Sequence, residues 1–132
     1  MVRYLDLDDV LHIARRAIGA VEIRDIGLLE AAVARPATTV FGDEAYPRTH
    51  DKAAALVHSV ARNHALVDGN KRLAFASLFA FLALNGERIT LSDDAAYDLV
   101  IDIASGVLDD VAEIADRIDA GTAPATFGRS PE

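Results

Sequence analysis

An apolar run of twelve residues, from Leu73 to Leu84 and interrupted only by Ser77, is the feature that most restricts how this chain can fold. A membrane-spanning helix needs about 20 apolar residues, so the run is too short to cross a bilayer. A helix that is apolar on every face is normally buried in the protein core. We therefore predict a central buried helix over 70–84, ended by Asn85 and Gly86, around which the other segments pack.

The segments around this helix also show helical spacing of apolar residues and suitable capping residues. Asp6, Asp25 and Ser92 each precede such a segment and are typical N-caps, while Gly19 and Gly106 are typical helix ends. The predicted helices cover about 6–18, 25–36, 51–63, 92–105 and 108–120, with a short extended stretch over 87–91. The pattern predicts an all-α fold, a compact helical bundle around the central helix.

The stretch 38–47 has a different composition. Thr38, Thr39, Val40 and Phe41 are β-prone and precede a Gly-Asp pair, a typical turn signal. A small β-hairpin is predicted here, although composition alone fits a plain surface loop equally well.

Length and composition indicate one domain, because the chain has 132 residues. We assign this domain to residues 1–121 and predict a flexible C-terminal tail over 122–132. The absence of cysteine excludes a disulfide framework and a cysteine zinc site, and it fits a reducing cytoplasm. The first residues do not resemble a signal peptide, so the expected location is cytoplasmic.

The formal net charge of −8 restricts the partners. An acidic surface is repelled by nucleic-acid phosphates and by anionic lipid. We expect no direct DNA binding and no membrane association, whereas a basic protein partner is permitted.

The segment 64–72 carries the chemistry and directly precedes the central helix. His64 is a side chain suited to taking up a proton near neutral pH. Asp68 is a hard oxygen ligand that suits Mg²⁺. The alternative is that His64 is a structural residue at a helix end.

The start of the central helix is a predicted phosphate-binding site. Gly69 allows a sharp turn, and the backbone amides of Asn70, Lys71 and Arg72 would be free to bind an anion. Cations at a helix N-terminus are disfavoured by the helix dipole. A bound polyphosphate would explain why Lys71 and Arg72 both occur there. The alternative is that Lys71 and Arg72 are simply solvated.

This segment resembles the signature of the Fic/Doc family, which has fixed spacing between a His, an apolar anchor, an acidic residue, an Asn and an Arg. Five polar or charged positions match it: His64, Asp68, Asn70, Lys71 and Arg72. The resemblance extends over about residues 5–120 and includes 25–36, 61–63 and 82–86. Ala65 and Leu66 differ from the commoner Pro and Phe, and residues 20–23 lack the usual Gly- and Pro-rich turn.

Two positions place the resemblance in the Doc branch. Family members that transfer AMP have Gly where this chain has Lys71, and a second Arg where it has Phe75. In the Doc branch the resemblance implies that ATP binds reversed and presents its γ-phosphate to a Thr or Ser hydroxyl. Elongation factor Tu is the best-known target, and its modification arrests translation. AMP transfer, or a catalytically silent helical interaction domain, remain the alternatives.

The resemblance also implies residue roles and a partner. His64 would deprotonate the target hydroxyl, Asp68 would hold Mg²⁺, and residues 69–72 would bind the phosphates of ATP. The hairpin over 38–46 would be the flap that aligns the target, with Thr38, Thr39, Val40 and Phe41 as its target-binding residues. The chain lacks the family's inhibitory string Ser/Thr-x-x-x-Glu-Gly/Asn, so a separate antitoxin is expected, with a C-terminal segment that folds on binding.

Four other residues have expected roles without catalysis. His58 does not form a known zinc pattern with His64 and is interpreted as structural. His12 and His50 are expected at the surface. Arg62 is interpreted as a solvated helix residue, with a secondary phosphate contact as the alternative.

Overall fold

A computed structural model describes residues 1–125, and these contain six α-helices and two small two-stranded sheets. The helices are α1 (Leu7–Ala17), α2 (Ile26–Ala34), α3 (Thr49–Arg62), α4 (Asn70–Leu84), α5 (Asp93–Ser105) and α6 (Val111–Ala120). The strands are β1 (Thr39–Val40), β2 (Asp43–Glu44), β3 (Glu87–Ile89) and β4 (Thr122–Pro124). A short 3₁₀-helix, Arg35–Ala37, follows α2. The all-α prediction is confirmed.

The core is built on two adjacent helices, α3 and α4. The predicted central helix, α4, buries Leu73, Leu78 and Phe81, and it packs against α1, α3 and α5. Its burial is incomplete, because Phe79 on the opposite face is 50 % exposed. Helix α3 is also central, since it packs against α4, α5 and α6, and its row of small residues, Ala53–Ala55, allows neighbouring helices to approach closely.

The predicted caps explain where three of the six described helices begin. The side chains of Asp6, Asp25 and Ser92 accept hydrogen bonds from backbone amides in the first turns of α1, α2 and α5. Helix α6 begins at Val111, three residues later than predicted, because Asp110 is its N-cap and accepts from the amide of Ala112.

The predicted hairpin is confirmed, and a plain loop is the wrong alternative. Strands β1 and β2 pair antiparallel, with Thr39 opposite Glu44 and Val40 opposite Asp43. Phe41 and Gly42 form the turn with φ of 52° and 84°, so both lie in the left-handed region that two-residue hairpin turns require.

The predicted boundary of the C-terminal tail is wrong at its start. Residues 122–124 form β4, which pairs antiparallel with β3 and brings Ile89 opposite Thr122. The exposed backbone edge of β3 provides the hydrogen-bonding partners for this strand. The rest of the predicted tail, 126–132, lies outside the described residues.

His50 lies beside the β3–β4 sheet and is less exposed than expected. It was expected at the surface, but its Nε2 lies 3.2 Å from Glu87 Oε1 and 3.1 Å from Thr122 Oγ1, and its side chain is only 18 % exposed. The histidine therefore joins the start of α3 to both strands of the β3–β4 sheet. Across residues 1–125, no helix combines the length and the hydropathy that a membrane span requires.

Candidate active site

The loop between α3 and α4 carries His64 and is held by the segment before α2. The amides of Arg24 and Val67 donate to the carbonyl oxygens of Ala65 and Glu22 at 2.8 and 2.9 Å. Ala65 and the apolar anchor Leu66 are 4 % and 1 % exposed, whereas His64 is exposed. The replacement of the commoner Pro and Phe therefore keeps this part of the loop in the core.

The side chain of Asn70 closes the loop. Its Oδ1 accepts from the amide of Leu66 at 3.0 Å, and its Nδ2 donates to the Leu66 carbonyl at 2.9 Å. Both ends of the amide are therefore used inside the protein. Asn70 can reach a phosphate through its backbone N–H group, and its side chain sets the shape of the loop.

The N-terminus of α4 has the geometry of an anion site. The first hydrogen bond of the helical ladder runs from Leu73 N to Gly69 O at 2.9 Å. The amides of Asn70, Lys71 and Arg72 precede that bond, so they remain available to an anion. The exposed side chains of Lys71 and Arg72 add two positive charges at the same end of the helix.

Asp68 lies in the turn before α4 and is exposed. Its Oδ1 accepts from the amide of Gly69 at 2.9 Å, which leaves Oδ2 for a ligand. Within residues 1–125 there is no group of three or more His, Cys, Asp or Glu side chains that could hold a metal ion by itself. A single exposed carboxylate beside a predicted phosphate site is the kind of ligand set that Mg²⁺ uses when it also binds phosphate oxygens.

The residues predicted from the motif line one cavity of about 400 Å³, which we call the motif cavity. They are His64, Asp68, Gly69, Asn70, Lys71 and Arg72. This volume lies in the range of small-molecule sites, roughly 300–1,000 Å³. The spacing in the sequence thus corresponds to one shared site in the fold.

The opposite wall of the motif cavity was missed by the sequence analysis. It is formed by α5, through Tyr97, Ile101, Ala104 and Ser105. The ring of Phe75 packs edge-on against Tyr97, with centroids 6.1 Å apart. Phe75 thus supports an aromatic wall of the cavity. It stands at the position where, in the resemblance described above, AMP-transferring family members have a second Arg. No local pattern in the sequence signals this wall.

The hairpin residues do not belong to the lining of the motif cavity within the described part of the chain. Thr38 and Thr39 are exposed, and the side chains of Val40 and Phe41 at the tip are 53 % and 102 % exposed. The base of the hairpin is anchored to α3, because Lys52 donates to Glu44 and to the carbonyl of Tyr46. The hairpin therefore presents an apolar tip to solvent.

A polar network lies between α3 and the α5–α6 loop. Arg35 Nη1 lies 2.9 Å from His58 Nδ1, and because a guanidinium can only donate, that nitrogen accepts and Nε2 donates to Asp109 at 2.9 Å. The hydrogen bond from His58, together with the charge of Arg62, lowers the pKa of Asp109 below its ordinary value. His58 is structural, as expected. Arg62 donates to Asp109 at 2.8 Å, so it is part of this network and the interpretation of Arg62 as a merely solvated residue is wrong.

Comparisons with known proteins identify the family of this chain. The model of the Fic/DOC family matches residues 4–82, which include the whole segment 64–72. The chain is also 51 % identical over 113 residues to a protein of Mycolicibacterium smegmatis (strain ATCC 700084 / mc(2)155) named Toxin Doc. That match covers 85 % of this chain and 82 % of the relative. The chain belongs to the Fic/DOC family.

Proposed function

We propose that this protein is a Doc-type toxin that transfers the γ-phosphate of ATP to a Thr or Ser hydroxyl of a protein, with elongation factor Tu as the first candidate target. The observation that carries the proposal is the motif cavity, which combines a histidine, a carboxylate and an anion-binding helix start. Phosphoryl transfer depends mostly on positioning and charge stabilisation, and these groups supply both. The 51 % identity to a protein named Toxin Doc supports the toxin role.

His64 acts as the general base in this proposal. Its imidazole accepts the proton of the target hydroxyl, whose oxygen then forms a bond to the γ-phosphorus of ATP. The bond between that phosphorus and the bridging oxygen breaks at the same time, and ADP leaves. The exposure of His64 at the motif cavity gives a protein substrate access to it.

The phosphates are held by the start of α4. The amides of Asn70, Lys71 and Arg72 and the two cationic side chains face the negative charge of the polyphosphate. Asp68 would hold Mg²⁺ through Oδ2, and the ion would supply positive charge to the phosphates. The exposed hairpin, with Thr38–Phe41 at its first strand and tip, aligns the target segment by pairing with it as an added strand.

The first experiment separates kinase activity from AMP transfer. The protein is incubated with elongation factor Tu and ATP labelled at either the γ- or the α-phosphate. We expect the γ-label on the target, and a loss of about 10²–10⁴-fold in the His64→Ala variant with unchanged helical circular dichroism. His12→Ala, at an exposed position of α1, is the matched control and should remain active.

The other outcomes of this experiment are equally informative. Transfer of the α-label would show AMP transfer and overturn the kinase proposal. No label on any protein in the presence of folded wild-type chain would favour a silent interaction domain. Full activity of a folded His64→Ala variant would exclude His64 as the base.

The metal role of Asp68 has its own test. Asp68→Ala should lose Mg²⁺-dependent binding of ATP in titration calorimetry, because the carboxylate is the protein's only proposed ligand to the ion. Asp8→Ala, at an exposed position of α1, removes the same charge elsewhere and should bind normally. Unchanged affinity of Asp68→Ala for Mg-ATP would show that Asp68 is not the ligand.

A partner completes the proposed function. An active toxin requires control, and we propose a separate antitoxin with a C-terminal segment that folds on binding to this protein. Basic residues in that segment would complement the net charge of −8. Any DNA binding would then reside in the antitoxin.

A further inference from the structure

Arg24, in the loop before α2, contacts the backbone of the proposed general base. Its Nε donates to the carbonyl oxygen of His64 at 2.7 Å, and its Nη2 donates to the carbonyl of Asn63 at 3.3 Å. These two carbonyls follow α3, where the negative end of the helix dipole attracts a cation. The guanidinium therefore binds the backbone at the point where α3 ends and the loop begins.

The conformation of His64 explains why this contact matters. Within residues 1–125, His64 and Phe41 are the non-glycine residues with positive φ, and the φ of His64 is 53°. A left-handed backbone is strained for a residue that carries a side chain. Such a conformation persists only where the surrounding structure holds it.

Several contacts hold the turn, and among those described only the bonds to the carbonyls of His64 and Asn63 depend on the Arg24 side chain. The amides of Arg24 and Asp25 both donate to the carbonyl of Ala65, at 2.8 and 3.0 Å. These backbone bonds remain in any variant of Arg24 except proline. A substitution at Arg24 therefore removes the contacts to His64 and Asn63, while the pairing of this loop with Ala65 stays.

We propose that Arg24 is a positioning residue that keeps His64 in its left-handed conformation and so aims the imidazole into the motif cavity. The proposal rests on the function proposed above, in which His64 is the general base. Among the described residues, the lining of the motif cavity includes His64 but not Arg24. Arg24 therefore acts on the rate of transfer and not on the binding of the nucleotide.

The kinetic test compares Arg24→Ala, Arg24→Lys and a control, Arg88→Ala, which removes an exposed arginine from β3. A displacement of about 1 Å at a catalytic group can cost roughly 10²-fold in rate. We expect kcat of Arg24→Ala to fall by about 10–100-fold, with KM for Mg-ATP unchanged. Arg24→Lys should recover part of the rate because it keeps a charged donor, and Arg88→Ala should match the wild type.

A second measurement needs no substrate. The backbone ¹³C shifts of His64 report its φ and ψ angles and are recorded by NMR for the same variants. We expect them to move in Arg24→Ala and to stay in place in Arg88→Ala. If the wild type transfers no phosphate at all, the proposed function fails, whereas the NMR comparison still tests the positioning role.

Two results would overturn the proposal. One is an unchanged set of His64 shifts in a folded Arg24→Ala variant. The other is a kinetic defect of Arg24→Ala that appears in KM for Mg-ATP while kcat is preserved, because that would place Arg24 in nucleotide binding.

Discussion

Gly69 shows how a single residue couples the site to the core. Its φ of 91° is a left-handed conformation, and a Cβ atom at this position would lie 2.7 Å from Cδ1 of Ile18. The glycine therefore allows both the turn after Asp68 and the close approach of α4 to the end of α1. The proposed anion site at the start of α4 depends on this contact as much as on Lys71 and Arg72.

We predict that Gly69→Ala destabilises the protein more than Gly42→Ala does. Both glycines have positive φ, but a Cβ at Gly42 would meet nothing within 4 Å. Gly42→Ala should cost about 1–2 kcal/mol in the free energy of unfolding from backbone conformation alone. Gly69→Ala should cost roughly 1–3 kcal/mol more from crowding against Ile18.

Urea unfolding of the two variants measures the difference. Equal losses would show that Ile18 moves aside at no cost. A larger loss in Gly42→Ala would contradict the argument from close packing.

At the scale of elements, the hairpin depends on α3 for its order. Its strands have two residues each, and so short a hairpin is at best marginally stable alone. Lys52 of α3 is 1 % exposed and donates to Glu44 at 2.9 Å and to the Tyr46 carbonyl, while Arg35 donates to the Tyr46 hydroxyl at 2.9 Å. The tip is exposed while the base is anchored to α3, which suits the target-aligning role that we propose for the hairpin.

Lys52→Met should loosen the hairpin. Met keeps most of the volume of the lysine stem but leaves the Tyr46 carbonyl without its donor, at a cost of about 1–3 kcal/mol. Hydrogen exchange of the Ala45 amide, which donates to Thr38 at 2.9 Å, is the local readout and should become faster. Glu44→Gln keeps an acceptor for Lys52 and should have a smaller effect; unchanged exchange at Ala45 in Lys52→Met would contradict the anchoring role.

On the scale of the whole molecule, the candidate active site differs in charge from the chain as a whole. The chain carries a net charge of −8, yet Lys71 and Arg72 lie together at the motif cavity. This arrangement favours an anionic ligand in the cavity and a basic partner on the surface around it.

The partner proposal predicts that induction of this chain without its neighbouring gene arrests bacterial growth. His64→Ala should be harmless at the same level of soluble protein, and co-expression of the neighbouring gene should restore growth. The affinity of the purified complex should fall as salt is added, because exposed charges are screened. Normal growth with soluble, active wild-type protein would show that the toxin and antitoxin proposals are wrong.

Much of the fold was predictable because its signals are local. The apolar run identified α4, and the capping residues located the starts of α1, α2 and α5. The spacing of 64–72 corresponds to six residues that line one cavity. Each of these features depends on residues within about three helical turns of each other. Propensity and spacing act over that range, so the sequence by itself determined the helices and the residues of the site.

The tertiary structure decided the features that join distant residues. Arg24 reaches the carbonyl of His64 across 40 positions, and His50 reaches Thr122 across 72. Tyr97 closes the motif cavity from another helix, and β4 forms only because β3 offers an edge beside it. Such contacts depend on how the helices and strands pack. A local pattern of side chains does not specify which distant residue a given side chain will contact.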